Sequence, residues 1–181
     1  MRYIACLLLL LVLCSYREPN HVRAIDKLMS SYSKQVKKQW GLRLAGRGGA
    51  MMYDVKEVTL AYNCTANVTL EEARKIYVNL VEGFVDLVNK DEPVRPYLHN
   101  YPFLPSNFDC SIIFVGENGR FHANEKITCV SKVKEKIYYS GYDPVKDMLY
   151  DIHAEPYEEA VRLVRGQAPN IVVNSSNFEG L

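Results

Sequence analysis

Nucleophilic or metal chemistry in this chain would have to run through four histidines, His21, His99, His122 and His153, or five cysteines, Cys6, Cys14, Cys64, Cys110 and Cys129. A metal site on one helix needs ligands three or four residues apart, and one on a turn needs Cys-x-x-Cys or a similar clasp. None of these histidines stands in such spacing, so the chain carries no expected metal site and no expected cofactor. A Gly-x-Ser-x-Gly elbow, a Walker loop and a dinucleotide fingerprint are all missing from the sequence. The stretch "GRGG" at 46–49 lacks the Lys-Ser/Thr ending of a phosphate loop and follows a helical pattern where a strand is required. A cysteine–histidine pair, Cys110 or Cys129 with His99 or His122, would need the fold to join distant residues. The acidic pairs Glu71/Glu72 and Glu158/Glu159 fall in first helical turns, where carboxylates complement the helix dipole. No residue is therefore assigned a catalytic role.

The densest cluster of recognition-type side chains is "EPVRPYLHNYPFLPSNF", residues 92–108. Pro93, Pro96, Pro102 and Pro105 each fix φ and push the preceding residue toward extended geometry, which predicts an ordered, extended strap. Arg95, Tyr97, His99 and Tyr101 form a candidate binding surface for a peptide, a glycan or a lipid head group. The competing reading is structural: a connection this long must be held, and Tyr97, Tyr101, Phe103 and Phe108 could close the end of a core.

The strap lies between two well-signalled elements. Upstream, "TLEEARKIYVNLVEGFVDLVN" opens with a capping box, Thr69 and Glu72, and continues as a stripe from Ala73 to Val88 at helical spacing. Downstream, Phe108, Cys110, Ile112 and Phe114 alternate as a strand, and Asn118-Gly119 signals a hairpin turn. A two-residue turn there puts Cys110 opposite Ile127, with Cys129 a diagonal neighbour on the same face. Those two cysteines are the candidate disulfide if a bulge brings them together; the alternative is that Cys64, Cys110 and Cys129 are small buried apolar residues. Residues 21–40 carry a further helical stripe ending at Gly41, and 54–63 alternate as a strand. "KIYYS" (136–140) is expected as a third meander strand, and "EPYEEAVRLVRG" as a short closing helix. The resulting expectation is α+β: an antiparallel or mixed sheet of about four strands with a long amphipathic helix on one face.

Of 181 residues, 48% are apolar and the net charge is +1, which suits one compact domain and argues against a general nucleic-acid binder. The charge is unevenly spread. Residues 17–47 hold eight Lys/Arg against Glu18 and Asp26, a net of +6, whereas residues 48–181 hold 13 basic and 19 acidic residues, a net of −6. Ahead of the basic segment stands "MRYIACLLLLLVLCSYREP", whose apolar run from Tyr3 to Leu13 is too short to span a bilayer but fits the core of a secretory signal. Two processing sites fit. "LVLC" is similar to a bacterial lipobox ending at Cys14, although Leu13 stands where a small residue is usual; cleavage after Ser15 is the other. Basic residues beside such a leader suit an anionic membrane surface. Three sequons, at Asn63, Asn67 and Asn174, would matter in a eukaryotic secretory pathway.

The segment "TLEEARKIYVNLVEGFVDLVNKDEPVRPYLHNYPF", with "KIYYS" and "PYEEAVRLV" after it, resembles an uncharacterised family of small exported proteins and predicted lipoproteins from intracellular Gram-negative bacteria. The resemblance centres on Arg95–Phe103, spans about residues 50–165, and implies an envelope location without supplying an activity. The expected organisation is a leader (1–15), a basic helical stem with a Gly-rich connector (16–50), an α+β domain (51–166) and a loose tail (167–181). The expected function is an exported, membrane-anchored binding or scaffold module, touching the membrane through its leader, lipid and basic stem and meeting an unidentified protein or small ligand. The alternative is an envelope or secreted enzyme with a site near Arg95, His99 and Tyr101.

Overall fold

The computed structural model describes residues 19–122 and 126–166. The leader with Cys14, the tail from 167 and the Asn174 sequon lie outside them.

Helix α1 (Asn20–Trp40) buries Ile25, Leu28, Met29, Tyr32 and Val36, the stripe its spacing predicts. Gly41 ends it in the left-handed conformation (φ 71°), where its amide reaches the Lys37 carbonyl. Strand β1 (Arg43–Ala50) runs antiparallel to β2 (Glu57–Thr65). Helix α2 (Leu70–Lys90) starts at the expected capping box: the Glu72 amide donates to the Thr69 hydroxyl and the Thr69 amide to the Glu72 carboxylate. It buries Ala73, Tyr77, Leu80, Val81, Phe84 and Val88. The strap then leads into β3 (Phe108–Val115), which lies parallel to β2. Strands β4 (Cys129–Val133), β5 (Lys136–Asp143) and β6 (Met148–Pro156) follow as an antiparallel meander, and helix α3 (Tyr157–Val164) closes the chain of elements.

Among the described residues there are thus three helices and a six-stranded mixed sheet in the order β1-β2-β3-β4-β5-β6. The α+β class is as expected, but the sheet is larger than four strands. Strand side chains alternate between faces. Val58, Leu60, Tyr62, Phe108, Cys110, Ile112, Phe114, Val130, Ile137 and Tyr139 point into one core shared with the helices. The other face carries Thr59, Ala61, Ser111, Ile113, Ser131 and Tyr138, all partly exposed. Tyrosine hydroxyls tie the layers together: Tyr32 donates to the Leu80 carbonyl (2.6 Å), Tyr77 to the Cys110 carbonyl (3.0 Å), and Tyr62 shares a bond with Ser33 (3.1 Å).

Three expectations about elements need correction. The Gly-rich stretch read as a connector is strand β1. Glycines give it no hydrophobic period, yet they let it lie close against β2: a Cβ on Gly49 (φ 148°) would come within 2.0 Å of the Glu57 carbonyl oxygen. Strand β6 was not anticipated, because it is an edge strand with exposed apolar residues on both sides and no clean alternation. The candidate Cys110–Cys129 disulfide does not form, and Cys64, Cys110 and Cys129 are free thiols. The Asn118-Gly119 turn exists, but it closes only a small loop of its own, with Val115 bridged to Phe121. The β3–β4 register is set so that Ile113 pairs with Cys129. An odd shift flips faces, leaving Cys110 in the core and Cys129 on the outer face.

Candidate functional site

The strap is built by its own backbone logic. Its prolines start two single turns, Arg95–Tyr97 and Pro105–Asn107, and the Tyr101–Pro102 bond is cis. Val94 and Phe103 are buried anchors, with Phe103 set edge-on to Phe84 of α2 at 6.3 Å. Because proline offers no amide, side chains complete the bonding. The Asn89 side chain clamps Phe103, donating to its carbonyl and accepting from its amide, both at 2.8 Å. Asn107 accepts from the Leu104 amide (3.0 Å) and donates to the Lys56 carbonyl (3.2 Å). Lys132, whose ammonium pKa is pulled down by burial, donates to the Pro105 carbonyl at 2.8 Å.

Midway, the strap pairs with the loop between β1 and β2. Val55 donates to the Tyr97 carbonyl (2.8 Å) and His99 to the Val55 carbonyl (3.0 Å), a parallel bridge that brings Asp54 against His99. Asp54 Oδ2 lies 2.7 Å from His99 Nδ1, and each side chain is about half exposed. Between loop and strap opens a hollow of about 710 Å³, lined by Ala50, Met51, Met52, Tyr53, Asp54, Lys56 and His99. The ring of His21, from the first turn of α1, reaches the Met51 carbonyl at 2.8 Å and fixes the loop to that helix.

The four residues expected as one binding surface therefore separate into three settings. His99 faces the hollow. Arg95 and Tyr101 engage each other, the guanidinium 5.2 Å above the ring, and Arg95 also donates to the Asn89 carbonyl at 3.0 Å. Tyr97 is half-buried beside His21, ring centroids 6.3 Å apart. Asp54, Met52 and Tyr53 were not foreseen; "MMYD" carries no motif, and only the Val55–Leu98 bridge gives those residues their neighbours.

A second polar cluster sits between α2 and the β5–β6 edge. Arg74 holds the Glu155 carboxylate with two parallel bonds (2.8 and 3.0 Å), Tyr139 donates to it at 2.6 Å, and His153 Nε2 lies 3.4 Å away. Glu155 is buried, which works to raise its pKa, but the bonds from Arg74 and Tyr139 outweigh burial and hold the carboxyl below its ordinary range. Its members come from positions 74, 139, 153 and 155, so no local spacing could signal it. With every carboxylate oxygen engaged, the cluster is built to tie elements together.

None of the cysteine–histidine pairings forms. His99 engages Asp54, and His122 engages the Ala66 carbonyl at 2.8 Å. Burial raises the pKa of all three thiols, so none is poised as a thiolate nucleophile. Among the described residues no group of three or more His, Cys, Asp or Glu could hold a metal ion, and no helix is long and apolar enough to cross a membrane. No family model, no curated protein and no solved structure matches the chain.

Proposed function

We propose that the chain is exported and held at an envelope membrane, and that its α+β domain acts there as a binding or scaffold module. The observation carrying this reading is how the strap spends its polar groups. Arg95, Asn89, Asn107 and Lys132 are committed to main-chain carbonyls and amides. What stays open is a hollow whose lining mixes Met51, Met52 and Tyr53 with the polar Asp54, Lys56 and His99, a composition suited to a small or peptide ligand that carries both apolar and polar groups. The export half is supported by the leader, by Cys14 at the end of its Leu-rich run, by the basic segment that follows and by the resemblance centred on Arg95–Phe103.

Fatty-acid labelling with fractionation in a Gram-negative host tests it. The full chain is expected to take up label and sediment with the envelope, and Cys14→Ser to lose the label. Unlabelled full chain recovered from the cytosol with its leader intact would sink the reading.

One contact favours a second reading, an enzyme whose site is at His99, narrower than the expected group of Arg95, His99 and Tyr101. The Asp54 carboxylate on His99 Nδ1 leaves Nε2 without a partner among the described residues, which is the arrangement of a base held by an orienting acid. A screen of ester, amide and phosphoester substrates separates the two. Turnover that His99→Asn lowers by about 100-fold or more supports the enzyme; ligand binding without turnover supports the module.

A further inference from the structure

We infer that the groove between α1 and α2 is a second ligand site, separate from the hollow at His99, and that it takes an oligosaccharide of N-acetylated hexose units.

The first observation is how the two helices frame the groove, which encloses about 360 Å³. Tyr32 and Val36, both buried, form its floor. Beside that floor Gln35 and Gln39 make one row on α1, and Lys75, Asn79 and Gly83 make another on α2. Each row steps by four residues, about 6 Å of helix. The groove closes where the Tyr32 hydroxyl passes over Gly83 to reach the Leu80 carbonyl. From there it runs to Trp40 on α1 and Lys75 on α2, each eight residues from the crossing, a length of about 12 Å. A pair of linked hexose rings matches that length, with one step of each row beside each ring.

The second observation is that the polar groups lining the groove are unspent. The Gln35 and Gln39 amides, the Lys75 ammonium and the Trp40 indole N–H have no hydrogen-bond partner among the described residues. Asn79 donates through Nδ2 to the Lys75 carbonyl at 2.8 Å and keeps its Oδ1 open. No carboxylate lines the groove. A side-chain carboxamide sets a donor beside an acceptor, and an acetamido group answers both at once. Half-buried Trp40, at the far end, supplies a flat apolar ring of the kind that packs on the C–H face of a sugar, with an N–H at its edge for a hydroxyl. Few convergent polar groups around an apolar floor is the make-up of a small-ligand site. An extended peptide would answer the amides through its backbone and bring no ring face to Trp40.

The third observation is independence. The groove and the hollow at His99 share no lining residue, so occupation of one leaves the other free.

Trp40 is the chain's single tryptophan, so its emission reports on this groove. Titration of the full chain with chitotetraose is expected to change that emission saturably, and calorimetry should return the same affinity. Maltotetraose, which has the hydroxyls without the acetamido groups, should bind at least about fivefold more weakly, the worth of one hydrogen bond. Gln35→Ala with Gln39→Ala should weaken chitotetraose binding about 25-fold, about fivefold for each amide. Both positions are exposed, and an unchanged circular dichroism spectrum shows that the variant folds. No binding of either sugar by emission or calorimetry would overturn the inference. Equal affinity for the two sugars would overturn it too, as would chitotetraose binding untouched by the paired substitution. Binding of a Gly-Ser decapeptide in place of the sugars would assign the groove to a peptide instead. None of these outcomes bears on the labelling at Cys14 or on the hollow at His99, so failure here leaves the proposed function standing.

Discussion

Gly83 sits on the buried side of α2, where the ring of Tyr32 crosses from α1. A Cβ placed on it would stand 2.8 Å from the Tyr32 hydroxyl and 3.6 Å from the nearest ring carbon. That hydroxyl cannot simply move aside. It donates to the Leu80 carbonyl at 2.6 Å, and its ring is held against Phe84 at 5.3 Å. Two effects compete in Gly83→Ala. Alanine gains about 1 kcal/mol of helix propensity, while displacing a buried hydroxyl from its bond costs about 1–3 kcal/mol. The clash should win, so Gly83→Ala is expected to destabilise by about 1 kcal/mol in denaturant melts. In a Tyr32→Phe background the nearest atom becomes the ring carbon at ordinary contact distance, and the same substitution should become neutral or stabilising. A double-mutant cycle without that change of sign would mean the ring is free to shift.

At the scale of elements, the Arg74–Glu155 pair fastens α2 to β6 and therefore spans the sheet's exposed edge. Glu155→Gln leaves the partly buried Arg74 guanidinium without its carboxylate, and is expected to cost about 2–3 kcal/mol at neutral pH. The direction of the pH effect follows from the lowered carboxyl pKa. Its stabilising contribution is complete above the unfolded carboxylate value of about 4.3 and is lost as pH falls through the lower folded value. The gap between wild type and variant should thus narrow on acidification, and urea midpoints measured from pH 7 downward would show it. A constant gap would mean that packing, not ionisation, sets the cost. This tie also marks where sequence reading stops. Helix α2 was legible because its capping box and its stripe are local, so Thr69, Glu72 and the residues from Ala73 to Val88 announce themselves. Strand β1 was not, since Gly46, Gly48 and Gly49 have low strand preference and take their conformation from pairing with β2. The candidate site divides the same way. His99 was visible as a histidine among prolines, but Asp54 enters only through the bridge between Val55 and Leu98, a contact across more than forty positions of chain.

For the molecule as a whole, the governing feature is a sheet whose helices cover one face. Cys110 and Cys129 report on the two faces separately. Cys110 is fully buried beneath α2, while Cys129 is partly exposed on the outer face, opposite Ile113. Burial raises both thiol pKa values, so neither is intrinsically fast, and accessibility decides the order of labelling. In a background lacking Cys6 and Cys14, a maleimide probe should modify Cys129 under native conditions. Labelling of Cys110 should instead wait for opening of the helix layer and track the denaturant dependence of global unfolding, at least about 100-fold slower in water. Cys64, buried but with 5% of its surface exposed and in contact with the Trp40 carbonyl, should fall between them. Reducing agent should leave the melting temperature unchanged, because no disulfide joins these residues. If Cys129 proved as protected as Cys110, something would have to cover the outer face in solution. The small side chains there, Thr59, Ala61, Ser111 and Ser131, would then line a second interface and the one-sided description of the fold would fail.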